Sequence, residues 1–144
     1  MPSYNRFINT VGRCSALWRA ARLADTGVGP CDHPYLFYIC RHPGVSQDTL
    51  CRALYVNKSS VTRHLSRLEA QGYVTRTQDP ADRRSLLVSP TEKAMAVLPL
   101  LREMAGEWNA VLTEGFSEAE QTQFAALLER ALDNARRHVE VSEE

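Results

Sequence analysis

Residues 57–71 carry Lys58, Ser59, Thr62 and Arg63, with Ser60 beside them, while Val61, Leu65 and Leu68 recur at i, i+4 and i+7. On a helix that spacing turns the apolar residues inward and the hydroxyl and cationic ones outward. Small hydroxyls, an ammonium and a guanidinium on one helix face are the groups that read base edges in a major groove. Arg67 stands one turn further along, where a phosphate contact is expected in place of a base contact. The one acidic residue of the stretch, Glu69, sits near its far end. A solvated amphipathic helix would present the same types, so this segment alone leaves both readings open. A second cluster, Asp82-Arg83-Arg84, ends the polar run 78–84. Arginines on a projecting tip suit a narrow, electronegative minor groove. The Asp82 carboxylate is expected to orient an arginine there by a charge-assisted hydrogen bond.

The surrounding elements must hold these groups in place. Residues 4–25 repeat apolar side chains at helical spacing, and Thr26-Gly27-Val28-Gly29-Pro30 closes that helix. Residues 34–41 form an aromatic and aliphatic run too apolar for a surface helix, stopped by His42-Pro43-Gly44. Ser46 is an N-cap, with Gln47 and Asp48 in the first turn of a short helix. Asn57 caps the next, which stops at Gly72. Two helices this close together have helix-turn-helix spacing. Ser46, Gln47 and Asn57, at the N-terminal ends of the pair, are counted with the DNA-facing residues.

Beyond Gly72 the period changes. Tyr73-Val74-Thr75-Arg76-Thr77 and Leu86-Leu87-Val88 are β-branched and aromatic, and the polar tip between them makes a two-stranded ribbon, a wing. Thr91 caps a helix running to about residue 112, which Pro99 is expected to kink. Ser117 with Glu120 forms a capping box that opens the last helix.

Charge is distributed in keeping with this order. The net charge is zero, yet residues 41–90 hold eight Lys/Arg against four Asp/Glu, and residues 91–144 hold five against eleven. A basic middle and an acidic end is the asymmetry expected when one face meets phosphates. Cys14, Cys31, Cys40 and Cys51 show no C-x-x-C spacing, so free thiols are expected. Cys31, His33 and His42 match no common metal-ligand spacing, and neither a metal nor a cofactor is called for. No G-x-S-x-G, P-loop, G-x-G-x-x-G or H-E-x-x-H occurs, and catalysis is not expected. The N-terminal residues have no signal-type apolar stretch and no run has the length of a membrane span, so the expected compartment is the cytoplasm.

The run Asp82-Arg83-Arg84-Ser85 followed by Val88-Ser89-Pro90-Thr91-Glu92-Lys93-Ala94 resembles the wing signature of MarR-type regulators. The preceding Val61-Thr62-Arg63-His64-Leu65-Ser66-Arg67-Leu68-Glu69-Ala70-Gln71-Gly72-Tyr73-Val74 is similar to their recognition helix. Pro90 and Ala94 depart from the family, which commonly has Leu and Gly there. The resemblance implies a mainly α fold: one domain over residues 1–144, with a winged helix-turn-helix over about 32–94 and a two-stranded β wing. N- and C-terminal dimerisation helices over about 4–25 and 91–140 would interlock in a homodimer, although the same apolar faces would also complete a monomer core. The implied function is sequence-specific binding of double-stranded DNA at a pseudo-palindromic operator, with Arg84 in the minor groove aided by Asp82. An effector of unknown identity is implied as well, with Trp18, Tyr35 and Tyr38 as candidate contacts, though aromatics so spaced also serve as plain core. Cys14 occupies the helix that holds the reactive cysteine of the family's peroxide sensors, so a redox-sensing regulator is an alternative. A winged helix serving a protein partner is another, and salt dependence of binding separates it from DNA recognition.

Overall fold

The computed structural model describes residues 1–139; position 140 of the C-terminal helix expected above lies outside them. The order is α1 (Tyr4–Leu23), α2 (His33–Arg41), β1 (Val45–Ser46), α3 (Gln47–Leu54), α4 (Lys58–Ala70), β2 (Val74–Gln78), β3 (Leu86–Pro90), α5 (Glu92–Leu112) and α6 (Glu118–Arg137). The chain falls into two units, residues 1–104 and residues 105 onward, with the boundary inside α5.

The first unit owes its core to the apolar spacings already noted. Leu36 and Ile39 of α2, Leu50 of α3 and Val61, Leu65 and Leu68 of α4 are all fully buried. Val74, Val88 and Ala94 join them from β2, β3 and α5. Burying each such leucine stabilises the fold by about 1.5–3 kcal/mol. Three buried positions along α4 fix its rotation, so Lys58, Ser59, Thr62 and Arg63 are exposed because of the core behind them.

Local chemistry sets where the helices begin and end. The Ser46 hydroxyl accepts from the Thr49 N–H at 3.1 Å and starts α3. Tyr55 ends it with φ 55, the one non-glycine residue with positive φ among the described residues. The Asn57 side-chain oxygen then accepts from the Ser60 N–H at 2.8 Å and starts α4. Each cap contributes about 1 kcal/mol. At the far end of α4, Gly72 takes φ 82. There the Tyr73 N–H donates to the Leu68 carbonyl and the Gly72 N–H to that of Glu69. This paired closure needs the left-handed backbone that glycine adopts without strain.

The sheet has the order β1-β3-β2 and is antiparallel throughout. β2 and β3 are the expected ribbon, with Val74 opposite Pro90 and Gln78 opposite Leu86. The third strand was not expected. β1 is two residues long, Val45 opposite Val88 and Ser46 opposite Leu87, and so short a strand leaves no alternation to read. It binds the start of α3 to the base of the wing.

In the second unit, the Ser117 hydroxyl accepts from the Glu120 N–H at 3.1 Å and the Glu120 carboxylate accepts from the Ser117 N–H at 3.0 Å. This is the expected capping box at the start of α6. Phe116 meets Phe124 edge-on, centroids 5.5 Å apart. No residue of α6 is buried. Pro99 lies within α5, which runs on to Leu112. Among the described residues no helix is long and apolar enough to cross a membrane.

Candidate nucleic-acid interface

The outward side of α4 begins at a capped N-terminus, where unpaired backbone N–H groups and the helix dipole favour anions. Lys58, Ser59, Thr62 and Arg63 are exposed there and Ser60 is half-buried. The Thr62 hydroxyl donates to the Lys58 carbonyl at 3.0 Å. The Arg63 guanidinium donates to the Ser60 hydroxyl at 3.2 Å, which points it along the helix toward that N-terminus. Ser46 and Asn57 are the two caps, their side-chain oxygens already engaged by backbone N–H groups.

The wing tip is shaped by two aspartates. The Asp79 carboxylate accepts from the Ala81 N–H at 2.9 Å, and that of Asp82 accepts from the Arg84 N–H at 3.1 Å. Backbone bonds from Asp82 N–H to the Asp79 carbonyl and from Ser85 N–H to the Asp82 carbonyl close two successive turns. The Gln78 amide donates to the Arg83 carbonyl at 2.7 Å. Asp82 was expected to grip an arginine side chain; it grips the Arg84 backbone instead. The short Asp side chain reaches the N–H two residues on, the usual Asx arrangement. Among the described residues neither the Arg83 nor the Arg84 guanidinium has a hydrogen-bond or ion-pair partner, and both residues are exposed.

What joins wing to helix is Arg76, a residue the sequence reading passed over. From β2 its guanidinium donates to Glu69 Oε1 at 3.1 Å, to the Ser66 hydroxyl at 3.2 Å and to Gln47 Oε1 at 3.3 Å. Its backbone N–H also donates to Glu69 Oε2, at 3.2 Å. One side chain therefore touches α3 and α4 from the wing. The arginine holds the Glu69 carboxyl below its ordinary range. A signal existed: Arg76 lies two residues from buried Val74, hence on the inward side of the strand, where an arginine needs partners. Gln47, counted as DNA-facing, is buried and serves this clamp.

Arg67, expected at a phosphate, is ion-paired with fully buried Asp32, which precedes α2. His64 of α4 also meets Asp32, Nδ1 to Oδ1, at 2.6 Å. The three aromatic residues proposed to meet an effector have separate engagements. Tyr35 is core, stacked on His64 at 4.6 Å. Tyr38 is half-buried and tilts against His42 at 4.5 Å. Trp18 is half-buried with the Arg22 guanidinium 3.8 Å above its ring. Cys14 is exposed on α1 and all four cysteines are free thiols. Burial pushes the Cys40 and Cys51 thiols up, which disfavours the reactive thiolate at both.

Comparison with known proteins places this geometry in company. A family model described as the MarR family matches residues 26–85. A Bacillus subtilis protein described as the uncharacterized HTH-type transcriptional regulator YybA is 32% identical over 103 residues, 72% of this chain and 69% of its own. A MarR transcriptional regulator of Methanosarcina mazei has a similar structure, with TM-score 0.88 and 27% identity over 94% of this chain and 97% of that one. A Listeria monocytogenes protein assigned to the MarR regulators was solved with a 26mer DNA. It gives TM-score 0.84 and 25% identity over 96% of this chain and 92% of that one.

Proposed function

The chain belongs to the MarR family of transcriptional regulators, and on that premise we propose that it is a homodimer reading a pseudo-palindromic operator through both grooves. It is a regulator and not an enzyme. In this reading Lys58, Ser59, Ser60, Thr62 and Arg63 meet base edges and adjoining phosphates in the major groove. Arg83 and Arg84 enter the minor groove on a tip whose backbone Asp82 holds. Ser46 and Asn57 present the N-termini of α3 and α4 to the phosphates.

The observation that carries the reading is the pair of guanidinium groups at the wing tip. They are exposed and without a partner among the described residues, on a loop whose backbone is pinned by Asp79 and Asp82. Arginines on a shaped projection, left unused by their own molecule, suit a narrow minor groove. A 26mer DNA bound to a protein similar in structure supports the duplex as partner.

The homodimer is supported by the apolar side chains that each terminal helix leaves uncovered. Phe7, Ile8, Val11 and Leu17 are exposed on α1, and Leu127, Leu128 and Leu132 on α6. Faces of that kind ask for a partner surface. Two copies would set their recognition helices about 34–36 Å apart, one turn of duplex. The regulator works in the cytoplasm and answers to a small-molecule effector, for which half-buried Trp18 and Tyr38 are better contacts than core Tyr35.

Selection of bound fragments from random duplex DNA by the purified protein tests the proposal. Enrichment of a two-fold symmetric sequence is the expected outcome. Recovery of fragments with no common sequence would overturn it and favour a protein partner.

A further inference from the structure

Among the described residues Asp32 is the one fully buried acidic side chain. It stands at the N-cap position of α2 but makes no capping hydrogen bond to that helix. Its Oδ2 accepts instead from the Gly29 N–H at 2.7 Å. Its Oδ1 lies 2.6 Å from His64 Nδ1 and also accepts from the Arg67 guanidinium. Both of those partners belong to α4, and the His64 ring is stacked on Tyr35 as well.

The loop between α1 and α2 fits against the same stretch of α4. A Cβ on Gly27 would meet the Gln71 side chain, and one on Gly29 would meet the Arg67 guanidinium. The Tyr73 hydroxyl, just past α4, donates to the Thr26 carbonyl. The loop therefore lies on the C-terminal half of α4, with Asp32 as its buried anchor.

This arrangement has an electrostatic consequence. A carboxylate taken out of water must be paired, and the cation that pairs it is committed. Arg67 lies on the helix that we read as the DNA-reading one, yet its charge is spent on Asp32. Resting on that reading, we propose that Asp32 is a positioning residue that holds α4 through His64 and Arg67 and withholds the Arg67 charge from phosphates. The cationic reach of α4 is thereby confined to Lys58 and Arg63 at its N-terminal end. Phosphate neutralisation drives binding to any sequence alike, whereas base contacts discriminate. Withholding one cation lowers affinity for random duplex more than for the operator, so Asp32 contributes to specificity without touching DNA.

Salt titration separates this role from plain structural support, because each phosphate contact steepens log affinity against log salt by about one. The probes are a labelled random-sequence duplex and the duplex recovered by selection. Lys58→Gln, at the exposed N-terminal end of α4, is expected to flatten the slope by about one. Arg67→Gln is expected to leave the slope on random duplex unchanged while weakening the selected duplex several-fold. Asp32→Asn is expected to steepen the slope on random duplex by about one and narrow the gap between the two probes, and adding Arg67→Gln to it should restore the wild-type slope. If Arg67→Gln flattens the slope as Lys58→Gln does, the proposal is overturned, and this variant decides even if Asp32→Asn does not fold. A folded Asp32→Asn with the wild-type slope overturns it as well. Failure of the DNA reading itself looks different: wild type and Lys58→Gln would then bind both probes weakly and with little salt dependence.

Discussion

The Arg76 guanidinium lies 3.1 Å from the Glu69 carboxylate, so the base of the wing is tied to the far end of α4. The Arg76 side chain is 16% exposed and that of Glu69 41%. An isolated pair of that exposure would contribute little. Arg76, however, also holds Ser66 and Gln47, so its loss unpairs several groups at once.

Arg76→Ala is expected to weaken duplex binding and lower the midpoint of urea unfolding. Glu69→Ala should reproduce part of both effects. A double-mutant cycle on unfolding should give a coupling of about 1 kcal/mol. Additive single effects would mean that the two side chains do not cooperate in placing the wing.

Acid should weaken the fold at His33. Burial, and then the nearby Arg19 charge, push its imidazole down from 6.5 to about 4. The unfolded chain takes up a proton near the ordinary value while the folded chain resists until about 4. Stability present above about pH 6.5 is therefore lost progressively as pH falls toward 4. Urea midpoints between about pH 7 and about pH 5 should drop less in His33→Gln than in wild type. Equal drops in the two proteins would place the acid sensitivity elsewhere.

Arg63 is expected to discriminate bases. Arg63→Ala should change the preferred base at one position of each half-site, with a loss of about 1–3 kcal/mol for the selected sequence. Binding to variants of the selected duplex, each altered at one position, measures this. A uniform loss across all variants would reassign Arg63 to a phosphate.

Much of this architecture is local and so was legible in the residues. Ser46 and Asn57 cap the helices they precede, Gly72 closes α4, Ser117 and Glu120 form their box, and Val61, Leu65 and Leu68 set the buried side of α4. In each case the cause lies within a few positions of its effect. The less legible parts depend on distant partners. Asp32 and Arg67 are 35 residues apart and Gln47 and Arg76 are 29 apart, and no periodicity joins such pairs. Asp32 carries no signal in the local pattern, because only the fold brings His64 and Arg67 to it. Gln47 reads as a first-turn surface residue until β2 places Arg76 over it. Asp82 was expected to accept from an arginine side chain, but in a loop this tight the Arg84 backbone N–H lies nearer than a flexible guanidinium.

The central claim is that α4 and the wing engage the two grooves of one duplex together. Chemical footprinting of the selected duplex tests it most directly, using one probe of guanine N7 in the major groove and one of the sugars that line the minor groove. Wild type should protect a major-groove patch in each half-site and flanking minor-groove sugars. Arg84→Ala should lose the flanking protection and keep the major-groove patch. Identical footprints for wild type and Arg84→Ala would contradict the account.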